Sequence, residues 1–348
     1  MRPSPLILES DRELLRAGTE PLREEVRGGR FFVTGGTGFF GCWILEALTA
    51  ACDDLDPRVT VLTRDPEAFR ARAPHLAMHP AVSLLAGDVR SFSIPAERFE
   101  YVIHAAFDSS REPDAEETGS TIIDGTARCL DLARRARARR FLFVSSGAVY
   151  GKQPLDLSHV SEEYADDPAS RGSLSPYGEA KRAAEALCLR TASESELEVP
   201  IARGFAFVGP HLPLDGHFAI GNFIRDALAG GPIRVHGDGS PIRSYLYAAD
   251  LAVWLLTILL RGRSGAAYNV GSERGVSVGE LARLVADTID PRPNVEIARP
   301  PSGAAPERYV PSNRRARAEL GLDETVKLPE AIRRTADWYR NLSDAALH

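Results

Sequence analysis

Arg30-Phe-Phe-Val-Thr-Gly-Gly-Thr-Gly-Phe-Phe-Gly41 decides how this chain is read. Arg30 to Val33 is a short apolar run that ends in a glycine-rich turn. Cys42-Trp-Ile-Leu-Glu-Ala-Leu-Thr-Ala50 follows with a helical pattern. Strand, tight turn and helix in that order are the setting in which spaced glycines bind a dinucleotide. Gly35 permits the sharp turn, and Gly38 lets the backbone approach a pyrophosphate. Gly41 lets the helix pack against the strand. The first amides of the helix lack internal acceptors, and its dipole favours an anion there. Thr37, Phe39 and Phe40 belong to the same cofactor-binding turn.

The segments that follow repeat the pattern. Val59-Thr-Val-Leu-Thr63, Val82-Ser-Leu-Leu-Ala86, Tyr101-Val-Ile-His104 and Phe141-Leu-Phe-Val-Ser-Ser146 read as strands. A helical stretch from Thr118 to Arg137 separates the last two. Near-continuous apolar strands alternating with helices imply a parallel sheet covered on both faces, with right-handed crossovers. The expected fold is α/β: a doubly wound Rossmann sheet with a smaller, irregular α/β substrate lobe at the C-terminus. Residues 1–28 form a helical extension and 29–203 the NAD(P)-binding domain, with a returning segment near 243–275. The substrate lobe takes 204–242 and 276–348, where Gly and Pro recur between short helices.

Composition narrows the function. The hydrophobic share is 44%, the charged share 26% and the formal charge −6, ordinary for a globular protein. Arg134-Arg-Ala-Arg-Ala-Arg-Arg140 is the densest cationic run, but it ends a helix, where cations suit the dipole. No nucleic-acid partner is expected. Cys42, Cys52, Cys129 and Cys188 show no metal spacing, so no metal is expected, and reduced thiols fit a cytoplasmic location. The apolar run Leu251 to Leu260 is too short to span a bilayer. It reads as a core helix.

The end of the second strand bears on the cofactor. A carboxylate there binds the adenosine ribose, but this strand ends Thr63-Arg64. Arg64 can pair with a 2′-phosphate, which favours NADP(H). NAD(H) stays open, because Arg64 can instead stack on adenine and Asp65 can reach the ribose. Ala105 and Ala106 leave space beside a cofactor. His104 reads as a structural hydrogen-bonder.

Tyr177 and Lys181 share one helical face, four residues apart. Free tyrosine titrates near about 10. A neighbouring ammonium and a nicotinamide cation would lower that value and let the phenol exchange a proton with a substrate oxygen. Ser145 and Ser146, at the end of the fifth strand, offer a hydroxyl to the same oxygen.

In this order the motifs resemble those of the extended short-chain dehydrogenase/reductases, of the group that modifies nucleotide sugars. The matching pieces are Thr34 to Gly41, Gly87-Asp-Val89, His104-Ala-Ala106, Ser145-Ser-Gly-Ala-Val-Tyr-Gly151, Tyr177-Gly-Glu-Ala-Lys181, Arg203 to Pro210, and Arg243-Ser-Tyr-Leu-Tyr-Ala-Ala-Asp250. The resemblance makes Ser146 the catalytic hydroxyl, Tyr177 the proton-exchanging residue and Lys181 the ribose holder. It places Asp88 and Val89 against adenine, and Asn222, Arg243 and Arg308 on the nucleotide diphosphate. It also implies a homodimer through helices of the sheet domain.

Three positions depart from the group. Dehydratases carry an Asp-Glu pair where this chain has Gly147 and Ala148, which speaks against 4,6-dehydration. Ala206 replaces a substrate-contacting Asn, and Ile122 replaces another Asn before Gly125-Thr126. The loop Phe107-Asp-Ser-Ser110 is expected to face the substrate. The expected activity is therefore an NADP(H)-dependent oxidoreductase of a nucleotide-linked sugar, a keto-sugar reductase. The alternatives are an epimerase or a uronic-acid decarboxylase with retained NAD(P). A sensor without turnover has no use for Ser146, Tyr177 and Lys181 together.

Overall fold

The computed structural model describes residues 6–50, 52–107, 115–166, 174–216, 218–300 and 303–344. Seven strands form the central sheet: β1 (Arg30–Thr34), β2 (Arg58–Thr63), β3 (Val82–Ala86), β4 (Tyr101–His104), β5 (Arg140–Ser146), β6 (Ile201–Gly204) and β7 (Ala267–Val270). Their order is β7-β6-β5-β4-β1-β2-β3, and every pairing is parallel. The order reverses beside β1, so the carboxyl ends of β1 and β4 flank a crevice, the place where open α/β sheets bind ligands.

Alternation along the strands explains why both faces are covered. Phe31, Val33, Val59, Val61, Ile103, Leu142 and Val144 enter one apolar cluster, with Trp43, Ile44 and Leu45 of α2 (Phe39–Ala50). Phe32, Val102, Phe141 and Phe143 enter the other, with Ile122, Leu130 and Ala133 of α5 (Ala115–Arg135) and Ala180, Ala184 and Cys188 of α6 (Pro176–Glu194). Each such side chain contributes about 1.5–3 kcal/mol when fully buried. Helices α3 (Pro66–Arg72) and α4 (Pro74–Ala77) cross from β2 to β3. The run Leu251–Leu260 lies within the buried helix Ala248–Arg261, and no helix among the described residues is long and apolar enough to cross a membrane. Cys42, Cys129 and Cys188 are buried free thiols.

The N-terminal segment is tied in more firmly than a surface extension. Helix α1 (Glu9–Thr19) buries Asp11 completely, and its carboxylate accepts from Tyr247 Oη at 2.7 Å and Arg334 Nη1 at 2.6 Å. Arg334 belongs to the last helix, Leu328–Asp344. This bridge therefore joins the two ends of the described chain. Beyond β6 the strands are short. Ile242–Arg243 pairs with Val276–Ser277 and Arg308–Tyr309, and Phe207–Val208 pairs with Leu246–Tyr247. These pairs set Arg243, Tyr245 and Tyr309 over the crevice.

The turn after β1 tests the glycine reasoning. Gly35 has φ +71°, and a Cβ there would lie 2.5 Å from Ala105 O. A Cβ on Gly41 would lie 2.2 Å from Gly35 O and 2.3 Å from Gly36 Cα, all backbone that cannot step aside. Gly41→Ala is therefore expected to cost about 3 kcal/mol or more, the upper end of overpacking. Gly119, inside α5 with nothing within 4 Å of its Cβ position, is the control. Gly119→Ala is expected to stabilise by about 0.5–1 kcal/mol, because alanine is the better helix former. Urea titration of both variants checks the pair.

Candidate active site

A cavity of about 1910 Å³ opens at the carboxyl ends of the strands. It exceeds the ~300–1,000 Å³ of a pocket for one drug-sized molecule, so two large ligands fit side by side. One wall is the glycine turn from Thr34 to Phe40 (Gly36 aside), with Thr63, Arg64, Asp88, Val89, Ala105 and Ala106. The other carries Ser146, Tyr177 and Lys181, facing Phe205, Arg243, Tyr245 and Tyr309 of the C-terminal segments.

The first wall fits a dinucleotide. Gly38 N–H donates to Gly35 O at 3.0 Å. A Cβ on Gly38 would meet only Gly35 O, at 3.4 Å, so the cradle is open where a pyrophosphate must approach. Gly41 lies behind this surface, in the helix–strand contact. Arg72 of α3, absent from the sequence reading, reaches the same turn and donates to Thr37 O. Asp65 is turned to another task. It caps α3, accepting from Ala68 N at 2.9 Å, and it is not among the cavity-lining residues. Asp88 is held by Arg90 at 2.9 and 2.8 Å. Those hydrogen bonds, with a smaller contribution from the Arg64 charge, pull its carboxyl down to about 2.

His104 is structural. Thr126 Oγ1 donates to Ile122 O at 2.6 Å, so it accepts from His104 Nε2 at 3.0 Å. That leaves His104 Nδ1 to accept from the Thr34 hydroxyl at 2.7 Å. Burial, helped by the Lys181 charge, pushes this imidazole down to about 3.

The second wall is set by one helix start. Pro176 opens α6, and Ser175 Oγ caps it by accepting from Gly178 N at 3.2 Å. This puts Tyr177 in the first turn and Lys181 one turn deeper. Lys181 is 4% exposed, donates to Val144 O at 2.9 Å, and its Nζ lies 5.8 Å from the Tyr177 ring centroid. Burial lowers it to about 8, against the opposing field of Glu185. Burial raises the Tyr177 phenol to about 12, against a smaller lowering effect of the nearby Ser146 hydroxyl. Without the nicotinamide cation that the expectation also invoked, burial therefore sets the pKa of the phenol. Phe107 packs against the Tyr177 ring at 4.7 Å. Asp108 to Ser110 lie outside the described residues.

Ser145 is turned to another task. Its hydroxyl donates to Glu185 Oε1 at 2.6 Å. Glu185 also receives Arg203 at 3.0 and 2.7 Å, and Arg203 reaches Tyr150 Oη at 3.0 Å, which donates to Asn269 at 2.6 Å. This buried chain supports β5, β6 and α6 from behind.

The residues assigned to the nucleotide diphosphate divide. Arg243 lines the cavity. Asn222 and Arg308 are not on its wall: Asn222 Oδ1 accepts from Arg225 at 3.2 Å, and Arg308 pairs along Ile242. Both lie far in sequence from the turn and strands that build the wall, so spacing could not test them. Tyr309, which sequence reasoning missed, is on the wall. Burial raises the pKa of its phenol well above the ordinary tyrosine value, against a smaller lowering effect of the nearby Ser146 hydroxyl. A Cβ on Gly147 would sit 2.6 Å from the Tyr309 hydroxyl and 2.9 Å from the Phe205 ring. The place of the dehydratases' first carboxylate is thus filled by an aromatic residue from the other end of the chain.

A doubly wound sheet, a glycine cradle and a Ser146–Tyr177–Lys181 group define an enzyme of the extended short-chain dehydrogenase/reductase class. The comparisons agree. Residues 31–271 match the model of the NAD dependent epimerase/dehydratase family, and the chain belongs to that family. It is 32% identical over 319 residues to UDP-glucuronic acid decarboxylase 2 of Arabidopsis thaliana, covering 90% of this chain and 69% of that one. A solved structure of MoeE5 in complex with UDP-glucuronic acid and NAD superposes with TM-score 0.74 at 26% identity, covering 90% and 100% of the two chains. The UDP-glucose 4-epimerase of Thermotoga maritima shares the fold, with TM-score 0.74 at 23% identity over 90% of this chain and 99% of that one.

The His104 geometry gives a stability prediction. The folded imidazole sits near 3 and the unfolded one near 6.5, so below 6.5 the unfolded state binds more protons. Stability is then lost as the pH falls. This one residue is expected to remove about 2 kcal/mol between pH 6.5 and pH 5. Denaturant unfolding across that window, with His104→Gln, checks it: the variant should show a shallower pH slope.

Proposed function

We propose that the chain epimerises one ring carbon of a UDP-linked hexose or hexuronic acid, in a redox-neutral cycle with retained NAD(H). One observation carries this reading. At the reacting end of the cavity the described groups are Ser146, Tyr177, Lys181 and Tyr309, and Gly147 and Ala148 stand where an acid and a base would be. Dehydration needs that pair to move water out of the sugar. Epimerisation needs a single proton-exchanging group beside a hydroxyl and can use it twice.

When bound, NAD⁺ supplies the hydride acceptor for oxidising the sugar alcohol. The residues do the rest. Ser146 hydrogen-bonds the sugar oxygen, and Tyr177 takes its proton. Lys181 keeps a positive charge close to the forming phenolate. The keto sugar then turns to offer its other face, and the same phenol returns the proton. Gly35 to Gly41 and the small Ala105 and Ala106 would hold the dinucleotide. Arg243 supplies a guanidinium for the diphosphate of the sugar nucleotide, and residues 204–242 and 276–348 would serve as the substrate lobe. A homodimer through α5 and α6 belongs to the same reading, and the mass of the protein in solution checks it.

Net reduction of a keto sugar is less well supported than it was by sequence alone. The relatives carry names of decarboxylases and epimerases, whose overall reactions consume no reductant. The choice of NAD follows from the MoeE5 complex and from Asp88. A 2′-phosphate reaching for Arg64 would meet a carboxylate held ionised in the same field, which weakens the case for NADP(H). The cofactor released on denaturing the purified protein is expected to be NAD.

A second reading is favoured by the UDP-glucuronic acid decarboxylase relative. Oxidation at carbon 4 of a hexuronic acid places the carbonyl β to the carboxylate. The carboxylate can then leave as CO₂, its bonding electrons passing to the enolate, which takes up a proton before the carbonyl is reduced. Incubation with UDP-glucuronic acid, followed by chromatography and mass spectrometry, separates the two. Our reading predicts an isomer of unchanged mass, and a product lighter by one CO₂ would establish the second. In either case Tyr177→Phe should lower turnover roughly 100- to 10,000-fold while leaving the cofactor bound. A fully active variant would remove Tyr177 from the mechanism.

A further inference from the structure

We propose that Glu46, His75 and His211 form a site for one divalent transition-metal ion of the zinc class, clasping α2 to the segment that follows Phe207–Val208. It uses none of the residues assigned to the sugar chemistry, although His211 borders the same cavity. The cysteine spacing gave no hint of it, because its ligands come from three distant parts of the chain.

The donor atoms already converge. Glu46 Oε1 lies 2.9 Å from His75 Nε2 and 3.8 Å from His211 Nε2, and the three ligand atoms lie within 4.8 Å of one another. Bonds of about 2.0–2.2 Å in a tetrahedral shell put neighbouring donors about 3.3–3.6 Å apart, so the two Glu46 distances stand within about half an ångström of that spacing, and an ion would draw the two imidazole nitrogens in from within 4.8 Å of each other. Two imidazoles and one carboxylate suit zinc, leaving a further position for water.

His211 is the decisive member. Its side chain is only 5% exposed, and its Nε2 is buried without a hydrogen-bond partner. At 3.8 Å from the carboxylate it is aimed at Glu46 yet too far away to bond it. A buried polar atom left this way is costly unless something else satisfies it. Other residues hold the imidazole in place. Its backbone is left-handed, at φ +70°. Trp43 Nε1 donates to Pro210 O at 2.8 Å, and the Tyr339 hydroxyl donates to Leu212 O. Trp338 packs against the ring at 4.8 Å.

Cys42, one turn before Glu46, is pushed up to about 12 by burial and stays a thiol, so it is no competing ligand. His211 also lines the large cavity, which gives an ion a route in.

The test uses the full chain without a histidine tag, stripped by a chelator and titrated with Zn²⁺ against a chromophoric competitor. In parallel, Co²⁺ is added to read the visible bands of low-coordinate cobalt. The expected result is one Zn²⁺ per chain and a raised unfolding temperature. His75→Gln and His211→Gln should each weaken binding by more than roughly 100-fold, since loss of a second-shell partner alone costs about 10–100-fold. They should also erase the cobalt bands with the circular dichroism unchanged. His75, with its side chain 17% exposed, is the variant that disturbs the core least. Absence of stoichiometric Zn²⁺ binding by the wild-type chain, or wild-type affinity in both histidine variants, overturns the proposal. Because the readout is bound metal rather than turnover, it fails or stands independently of the epimerase reading.

Discussion

The buried ammonium of Lys181 is the point on which the candidate site turns. A charge with 4% exposure is unfavourable in a protein interior. It persists here because Val144 O accepts it at 2.9 Å, the Phe143 ring lies 5.0 Å away, and the anionic Glu185 is near. Val144 is the last apolar residue of β5. The bond therefore fixes α6 against the carboxyl end of that strand. The start of α6 then has one place to go, and Tyr177 meets the hydroxyl of Ser146. Glu185 in turn is held by Arg203 in a buried pair at 2.7 Å. Removing one member of such a pair strands the other charge, so the support behind the site is cooperative rather than additive.

Much of this could be read in advance because it is local. The apolar runs of β1, β4 and β5, the glycines of the turn and the Ser175-Pro176 helix start are decided within a few residues of chain. The sheet and the Tyr177–Lys181 face followed from them. What could not be read depends on contacts between distant segments. Arg72 reaches Thr37 only after α3 has folded back over the turn. Asp65 looks available to a ribose until its role as the cap of α3 is seen. Tyr309 arrives at Ser146 through the pairing of Arg308–Tyr309 with Ile242–Arg243, and no spacing announces it. The same pairing shows why Arg308 is off the cavity wall: alternation along a strand sends neighbouring side chains to opposite faces, and it is Tyr309 that lines the cavity.

Tyr309 also gives the missing carboxylates a physical meaning. With its hydroxyl 2.6 Å from where a Gly147 Cβ would be, an aspartate cannot be restored there without moving a second side chain. Gly147 and Tyr309 therefore act as a matched pair, and among the described residues no acid–base couple stands at that position. The proposed epimerisation needs only the making and unmaking of one carbonyl. That chemistry is cyclic when the hydride is returned to the carbon that gave it up.

The most direct test of this account follows a label through one turnover. UDP-glucuronic acid carrying deuterium at carbon 4 is incubated with the purified protein in the presence of excess unlabelled NADH. The account predicts an epimer that keeps its deuterium at carbon 4, with no consumption of the added NADH. Product carrying hydrogen at carbon 4, with the deuterium found in the free nicotinamide pool, would contradict it.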